Sequence, residues 1–325
     1  MSGAAPTIEA VRALRSSLGD SIWTTPLMRC AGIELELDND TQIWGKLEFL
    51  QRTGTFKARG ALANLHALSR EQLDRGVTAV SAGNHAIATA FAARELGSTA
   101  KVVMTGSANP YRVKACRSYG GEVVVVDGVH EAFEVARRIE QEEGRYFVHP
   151  FEGPAVATGT GTVGLEICDQ LDDFDALIVP VGGGGLMAGI ANVVKQLRPS
   201  VEIIGVEPAG ANSMRLSFDA GEPRAIDRVR SIADSLGAPY ALPYSFELCR
   251  SNVDRLVEVD DLELRKSMGF LFQRMKLAVE PACAASTATL MGPLRDELAG
   301  KRVVLVFCGS NIDWNTFAEQ AIVED

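Results

Sequence analysis

The residue best suited to chemistry is Lys57, which follows Phe56 in the small-residue stretch TGTFKARG, residues 53–60. A lysine that forms a Schiff base must spend part of its time unprotonated, and burial and nearby positive charge both lower its pKa. A neighbouring aromatic ring can pack against a planar cofactor. The stretch therefore fits a lysine that carries an aldehyde cofactor, although F-K-A-R taken alone favours a surface lysine.

Four consecutive glycines form a second candidate, in VPVGGGGLMAG, residues 179–189. They lie between a predicted strand and a predicted helix, where backbone N–H groups and the helix dipole favour an anion, most often phosphate, over a plain flexible turn. Gly183, Gly185 and Ala188 also satisfy the relaxed dinucleotide pattern G-x-G-x-x-A, with Glu207 about 20 residues further on. An NAD-dependent oxidoreductase is therefore an alternative. P-loop chemistry is not, because no Lys-Ser or Lys-Thr follows the glycines.

The loop SAGNHA, residues 81–86, is the third candidate. A strand ends there and a helix begins, so we expect exposed N–H groups and the side chains of Ser81, Asn84 and His85 to face one point. Such a cradle suits a carboxylate. The alternative is ordinary capping of the helix by Ser81 or Asn84. A dinucleotide site would leave both this loop and Lys57 without a role.

Composition excludes several function classes. The chain has 325 residues and a net charge of −10, which makes nucleic acid an unfavourable partner. No apolar run approaches the roughly 20 residues of a membrane helix, and the N-terminus lacks the pattern of a secretory signal. We therefore expect a cytoplasmic protein that binds neither nucleic acid nor membranes.

Cysteine and histidine spacing gives no sign of a metal centre or a disulfide framework. The six cysteines form no C-x-x-C pair, and the four histidines form no H-x-x-x-H pair. Free thiols in a reducing compartment are the expectation.

Short apolar strands alternate with helical patterns from about residue 76 onward. This alternation is typical of parallel sheets covered by helices on both faces. The rhythm breaks near residues 149–162, which predicts a smaller unit before the break and a larger one after it. The strands are predicted in VTAVSAG, AKVVMTG, EVVVVDG, RYFVHP, ALIVPV, EIIGVE and KRVVLVFCG.

Six motifs lie in the order and spacing of the fold-type II pyridoxal-phosphate enzymes: KLEFLQRTGTFKARGA, SAGNHA, VGGGGL, GVEP, MKLAVEPA and CGSNID. The chain resembles the threonine/serine dehydratase and serine racemase branch from about residue 20 to residue 315. The resemblance implies a two-domain α/β fold of the tryptophan synthase β-subunit type, with parallel-rich twisted sheets. It assigns 1–68 plus 151–325 to a large cofactor-binding domain and 76–149 to a small domain, with the active site between them.

The resemblance also assigns roles to single residues. Lys57 would hold pyridoxal 5'-phosphate as a Schiff base with Phe56 beside it, Asn84 would bond its phenolic oxygen, Glu280 would lie alongside, and Cys308 would face the pyridine nitrogen. The cofactor phosphate would bind the amides of Gly182, Gly183, Gly184, Gly185 and Leu186. The substrate carboxylate would bind Thr53, Ser81, Ala82, Asn84 and His85.

The implied reaction is an α,β-elimination. The freed Lys57 amine removes the α-proton, the β-hydroxyl leaves, and the product hydrolyses to a 2-oxo acid and ammonia. A thiol at Cys308 would not hold the pyridine nitrogen protonated, and the weaker electron sink favours elimination. The resemblance therefore implies a carbon–oxygen lyase of the ammonia-lyase type.

Several positions depart from the family pattern. Racemases of this branch carry a serine where this chain has Ala82, so little racemisation is expected. Ser213 replaces an aspartate of the metal-binding members, which weakens a Mg²⁺ or Ca²⁺ site and leaves Glu207 as its candidate ligand. Cys283 and Ser310 replace glycines near the cofactor. No regulatory C-terminal domain, and hence no feedback control by isoleucine, is expected.

The predicted function is a pyridoxal-phosphate-dependent dehydratase of a β-hydroxy amino acid, with L-threonine and L-serine as the default substrates. The alternatives are 3-hydroxyaspartate or phenylserine dehydratase, a serine racemase, which Ala82 disfavours, and the NAD-dependent oxidoreductase. A non-catalytic sensor is disfavoured by the intact Lys57. Tyr111, Arg112 and Phe151 are candidates for the substrate wall, and a homodimer is expected.

Overall fold

The computed structural model describes residues 3–322 and contains two β-sheets. In chain order the strands are β1 (Leu27–Arg29), β2 (Gln42–Leu47), β3 (Val77–Val80), β4 (Ala100–Thr105), β5 (Glu122–Val126), β6 (Tyr146–Phe147), β7 (Ala176–Pro180), β8 (Glu202–Pro208), β9 (Arg255–Val259) and β10 (Arg302–Phe307).

Helices surround both sheets. In chain order they are α1 (Ile8–Leu18), α2 (Ala31–Leu37), α3 (Lys57–His66), α4 (Arg70–Arg75), α5 (Asn84–Glu95), α6 (Pro110–Ser118), α7 (Val129–Glu143), α8 (Pro154–Gln170), α9 (Gly185–Leu197), α10 (Ser213–Ala220), α11 (Pro243–Asn252), α12 (Asp261–Phe270), α13 (Pro281–Met291) and α14 (Trp314–Gln320). None of the helices within residues 3–322 has the length and apolar character needed to cross a bilayer.

The larger sheet has the strand order β1-β2-β10-β7-β8-β9, and the smaller has the order β5-β4-β3-β6. Apart from the antiparallel pair β1 and β2, all neighbouring strands are parallel. Strands covered on both faces need apolar side chains throughout, and β7 and β10 are accordingly buried along almost their whole length. The predicted α/β class with parallel-rich sheets is confirmed.

All seven predicted strands form, although RYFVHP contributes only the two residues of β6. The four strands of the smaller sheet all lie within residues 77–147, and the remaining six lie on either side of that stretch. The division into domains at the predicted boundaries stays a prediction.

Helix α3 lies where the two halves of the structure meet, packed against both α8 and α5. Its Arg59 is fully buried and pairs with Glu48 at 2.7 Å and with Glu166 at 2.7 Å. Glu166 in turn binds the buried Lys46 of β2 at 2.7 Å. This cluster ties α3 to α8 and to the larger sheet, and it therefore anchors the helix that starts with Lys57.

Candidate active site

Lys57 lies at the first position of α3 with its amine turned inward. Its Nζ donates a hydrogen bond to the backbone oxygen of Pro150 at 2.6 Å and lies 5.1 Å from the centroid of the Phe56 ring. Burial lowers the pKa of Lys57 to about 8, and the nearby Cys308 and Glu280 act in the opposite direction. Burial thus accounts for the lowered pKa. A small fraction of the amine is unprotonated at neutral pH.

The glycine run forms a bend that leads directly into α9. Gly184 has φ +87°, which favours glycine, and no side chain of the described residues caps the helix. A Cβ on Gly183 would lie 2.4 Å from the ring of Phe151, and one on Gly185 would lie 2.5 Å from the Phe151 carbonyl oxygen. The close approach of Phe151 therefore requires these glycines. The first N–H groups of α9 have no helical partners and no side-chain cap among residues 3–322, as an anion site needs.

Phe151 packs against this bend within an aromatic group, and its role in the substrate wall stays a prediction. Its ring centroid lies 4.7 Å from that of His149 and 6.1 Å from that of Tyr240. Of the other two wall candidates, Tyr111 is exposed, whereas Arg112 is buried.

The loop SAGNHA leads into α5, whose N-cap is Gly83 and which has no side-chain cap among the described residues. Capping of this helix by Ser81 or Asn84 is therefore wrong. Ser81 Oγ instead accepts a hydrogen bond from the Gly83 N–H at 3.1 Å. The first N–H groups of α5 stay available for an anionic ligand.

The three polar side chains of this loop take different partners. Asn84 Nδ2 donates to Glu280 Oε1 at 2.8 Å, and Asn84 Oδ1 accepts from Asn311 Nδ2 at 2.7 Å. His85 Nε2 bonds the backbone oxygen of Val148 at 2.8 Å. Within residues 3–322 these three side chains share no hydrogen-bond partner, and their convergence on one anion stays a prediction.

Two histidines flank the amine of Lys57, and all three residues line the same small cavity. Burial, together with the charge of Lys57, lowers the pKa of His85 to about 3 and that of His149 to about 4. His149 Nδ1 accepts from the backbone N–H of Glu152 at 3.0 Å. Both rings are therefore neutral near pH 7. His149 was missed in the sequence because no local pattern links it to Lys57.

Glu280 and Cys308 lie near the amine on the side of the larger sheet. Burial raises the pKa of Glu280, and Arg112 opposes that effect. A hydrogen bond that the Cys308 thiol donates to Cys283, together with burial, raises the pKa of Cys308 well above its usual value. Cys308 directly follows β10, so the end of that strand presents a protonated thiol next to Cys283. All six cysteines are reduced and buried.

Comparison with known proteins decides the family. The family described as pyridoxal-phosphate dependent enzyme matches residues 18–309. The chain belongs to the pyridoxal-phosphate dependent enzymes.

It is 52% identical to a phenylserine dehydratase of Ralstonia pickettii over 96% of this chain and 95% of that protein. It is 38% identical to an L-threonine ammonia-lyase of Thermotoga maritima, over 84% of this chain and 68% of that one. The solved structure of maize serine racemase superposes with a TM-score of 0.92 at 31% identity, covering 97% of each chain.

These matches confirm the predicted family, its fold and the lyase class, and with them a pyridoxal-phosphate-dependent dehydratase of β-hydroxy amino acids. The NAD-dependent alternative is wrong, because the glycine loop belongs to a pyridoxal-phosphate dependent enzyme.

The residues present also fit pyridoxal phosphate. The uncapped start of α9 suits its phosphate, and the inward-facing Lys57 suits its aldehyde. Thr53 adds an independent sign of a ligand: its Oγ1 is buried without a hydrogen-bond partner among residues 3–322, and its φ is +70°. Buried hydroxyls are normally bonded, so this one is placed to meet a polar group. When bound, pyridoxal phosphate withdraws electrons from the carbon that loses its proton.

Glu207, the candidate metal ligand, has a different contact. Its two oxygens accept hydrogen bonds from the backbone N–H groups of Met214 at 2.9 Å and Arg215 at 2.7 Å, in the first turn of α10. Burial raises the pKa of Glu207 to about 8. Residues 3–322 hold no group of three His, Cys, Asp or Glu side chains that could bind a metal ion. Glu207 therefore serves as a helix cap in this structure.

Proposed function

We propose that this enzyme dehydrates β-hydroxy amino acids that carry an aromatic ring on the β-carbon, with phenylserine as the representative substrate. The supporting observation is the 52% identity to a phenylserine dehydratase along nearly the full length of both chains. The identity to the threonine ammonia-lyase of Thermotoga maritima is 38%. The products would be phenylpyruvate and ammonia.

We assign the residues of the site as follows. Lys57 binds the cofactor aldehyde beside Phe56, and Asn84, Glu280 and Cys308 contact the cofactor ring. The cofactor phosphate binds the amides of Gly182, Gly183, Gly184, Gly185 and Leu186. The substrate carboxylate binds the start of α5, with Thr53, Ser81, Ala82, Asn84 and His85 as its contacts.

Proton transfer falls to Lys57. With its pKa lowered to about 8, the amine can take the α-proton of the substrate near neutral pH. The neutral His85 and His149 add no positive charge beside it. The substrate loses its α-proton and its β-hydroxyl, and water then converts the product to the 2-oxo acid with release of ammonia.

The charges around the site argue against an acidic side chain in the substrate. Glu280 is buried here, and Asp234 holds the guanidinium of Arg112. A second carboxylate on the substrate would be repelled if it approached these two acids. A neutral aromatic ring carries no such cost, which supports phenylserine over 3-hydroxyaspartate.

A substrate panel tests the proposal. The holoenzyme is given phenylserine, L-threonine, L-serine and 3-hydroxyaspartate, and 2-oxo acid formation is followed for each. We expect the largest kcat/KM with phenylserine. A larger value with L-threonine would overturn the aromatic preference, and no 2-oxo acid from any of the four would overturn the lyase itself.

A second experiment tests the role of Lys57. Lys57→Ala should abolish turnover and the yellow colour of the holoenzyme, and borohydride should fix the cofactor to Lys57 only in the unaltered protein. A Lys57→Ala variant that still turns over phenylserine and still retains the cofactor after borohydride treatment would refute the assignment.

We further propose a cytoplasmic homodimer whose domains span 1–68 plus 151–325 and 76–149. Support for the compartment comes from six reduced cysteines. Support for a dimer comes from exposed apolar side chains near the chain start, including Trp23 and Met28. Light scattering that gives the mass of one chain would refute the dimer.

A further inference from the structure

We infer that Arg112 is a positioning residue, which reaches from the smaller-sheet half of the protein to hold Glu280 and, through it, the amide of Asn84. The inference rests on the proposed function in one respect: the rate of the proposed dehydration is one of the two quantities that its test measures. It concerns a residue outside the six motifs, on helix α6.

The guanidinium of Arg112 is buried between the two halves of the structure. Its Nε donates to the backbone oxygen of Asn311 at 2.9 Å, and its two terminal nitrogens bind the carboxylate of Asp234 as a fork. A Cβ on Gly83 would lie only 3.2 Å from Arg112 Nη1. The guanidinium therefore touches the SAGNHA loop on one side and the larger-sheet half on the other.

The third neighbour of this guanidinium is the buried carboxylate of Glu280. Arg112 Nη2 lies 3.7 Å from Glu280 Oε2, where Glu280 has 1% of its side chain exposed. At this distance the two groups interact by charge rather than through a short hydrogen bond. A carboxylate so deeply buried is costly without a nearby positive charge.

Glu280 in turn determines where the Asn84 amide points. Both of its oxygens accept from Asn84 Nδ2, at 2.8 and 3.1 Å, and Ser235 Oγ lies 3.2 Å from the same nitrogen. Asn311, whose backbone oxygen Arg112 binds, donates its own side-chain amide to Asn84 Oδ1. Arg112 thus acts on both ends of the Asn84 amide through one intermediate residue each.

The charged and titratable groups that act on Glu280 come from several elements. Arg112 favours its ionised form and Asp234 disfavours it, while Lys57 and Cys308 lie on its cofactor side. Loss of Arg112 should therefore raise the pKa of Glu280. Loss of the Asp234 charge should lower that pKa, because repulsion disappears and the guanidinium is left to Glu280.

The test compares Arg112→Met, Arg112→Lys and Asp234→Asn with the unaltered holoenzyme. For each, the absorbance of the bound cofactor and kcat are measured as a function of pH. Arg112→Met should shift the acid limb of both profiles upward by about one pH unit or more, and Asp234→Asn should shift it downward. Arg112→Lys keeps the charge and should stay close to the unaltered profile.

Arg112→Met should also lower kcat by about ten- to a hundredfold with a smaller change in KM, because a mispositioned Asn84 affects the reacting geometry more than ground-state binding. The matched control is Arg117→Met, which removes an exposed arginine of the same helix and should change neither profile. Adding Glu280→Gln to Arg112→Met should abolish the upward shift, since no titrating carboxylate remains.

Three results would overturn the inference: unshifted profiles in Arg112→Met, shifts of the same sign in Arg112→Met and Asp234→Asn, or a rise confined to KM, which would make Arg112 a substrate contact. If Arg112→Met fails to fold, Arg112→Gln replaces it as the variant that removes the charge, and unshifted profiles in Arg112→Gln would overturn the inference. The absorbance titration needs no substrate, so its failure is distinguishable from failure of the proposed reaction.

Discussion

Replacing Arg59 by methionine should destabilise the protein severely. Arg59 directs its guanidinium at Glu48, Glu166, the hydroxyl of Thr162 and the backbone oxygen of Trp23, at distances from 2.7 to 3.3 Å. Arg59 and Glu48 have no exposed side-chain surface, so water cannot replace the lost contacts.

The size of this loss of stability depends on which contacts the carboxylates of Glu166 and Glu48 keep when Arg59 is removed. Glu166 keeps its ion pairs with Lys46 at 2.7 Å and Arg15 at 3.2 Å. Within residues 3–322, the Glu48 carboxylate keeps only the hydrogen bond that the Thr25 hydroxyl donates to it. Breaking a buried ion pair by removing one partner costs about 3–5 kcal/mol, a large share of the stability of an ordinary domain. We expect Arg59→Met to lower Tm by about 5–15 °C.

Calorimetry and urea unfolding of the purified protein measure this effect, and a second substitution isolates its cause. Adding Glu48→Gln to Arg59→Met removes the unpaired charge, so the double variant should be more stable than Arg59→Met. A loss below about 1 kcal/mol in Arg59→Met would refute the reasoning. So would a double variant no more stable than the single one, because the cost would then lie in packing rather than in the stranded carboxylate.

Three further outcomes follow from the site. Because the pKa values of His85 and His149 are lowered to about 3 and 4, the stability they contribute is present above about pH 6.5 and is lost as the pH falls toward 4. Urea midpoints at pH 7 and pH 4.5 should show this loss, and His149→Gln should reduce it. Gly183→Ala places a Cβ 2.4 Å from an aromatic ring and should lower cofactor affinity at least about tenfold, whereas Gly128→Ala, with open space around it, should not. Ala82→Ser should raise racemisation of L-serine above the low level expected of the unaltered enzyme, as measured by chiral chromatography. Equal racemisation in the two proteins would show that Ala82 does not limit this reaction.

Local patterns in the sequence predicted a large part of the fold. Strands β7, β8 and β10 are buried apolar runs, as their sequences predicted. Helix α7 ends at Gly144, which has the left-handed conformation expected of a glycine that terminates a helix. Strands β1, β2 and β9 were not predicted. They are short or carry polar residues between their apolar ones, as in QIWGKL. Their strand conformation depends on hydrogen bonds to neighbouring strands of the sheet rather than on a local pattern.

By itself, the sequence determined the lysine, the glycine bend and the helix starts around them, because each depends on neighbouring residues along the chain. Only the tertiary structure decided what those residues contact. Asn84 meets Glu280 across 196 positions, and Arg112 meets Asp234 across 122. Periodicity and turn signals carry no information on such pairs, because they form only when the two sheets and α3 pack together. The same packing lowers the pKa of Lys57.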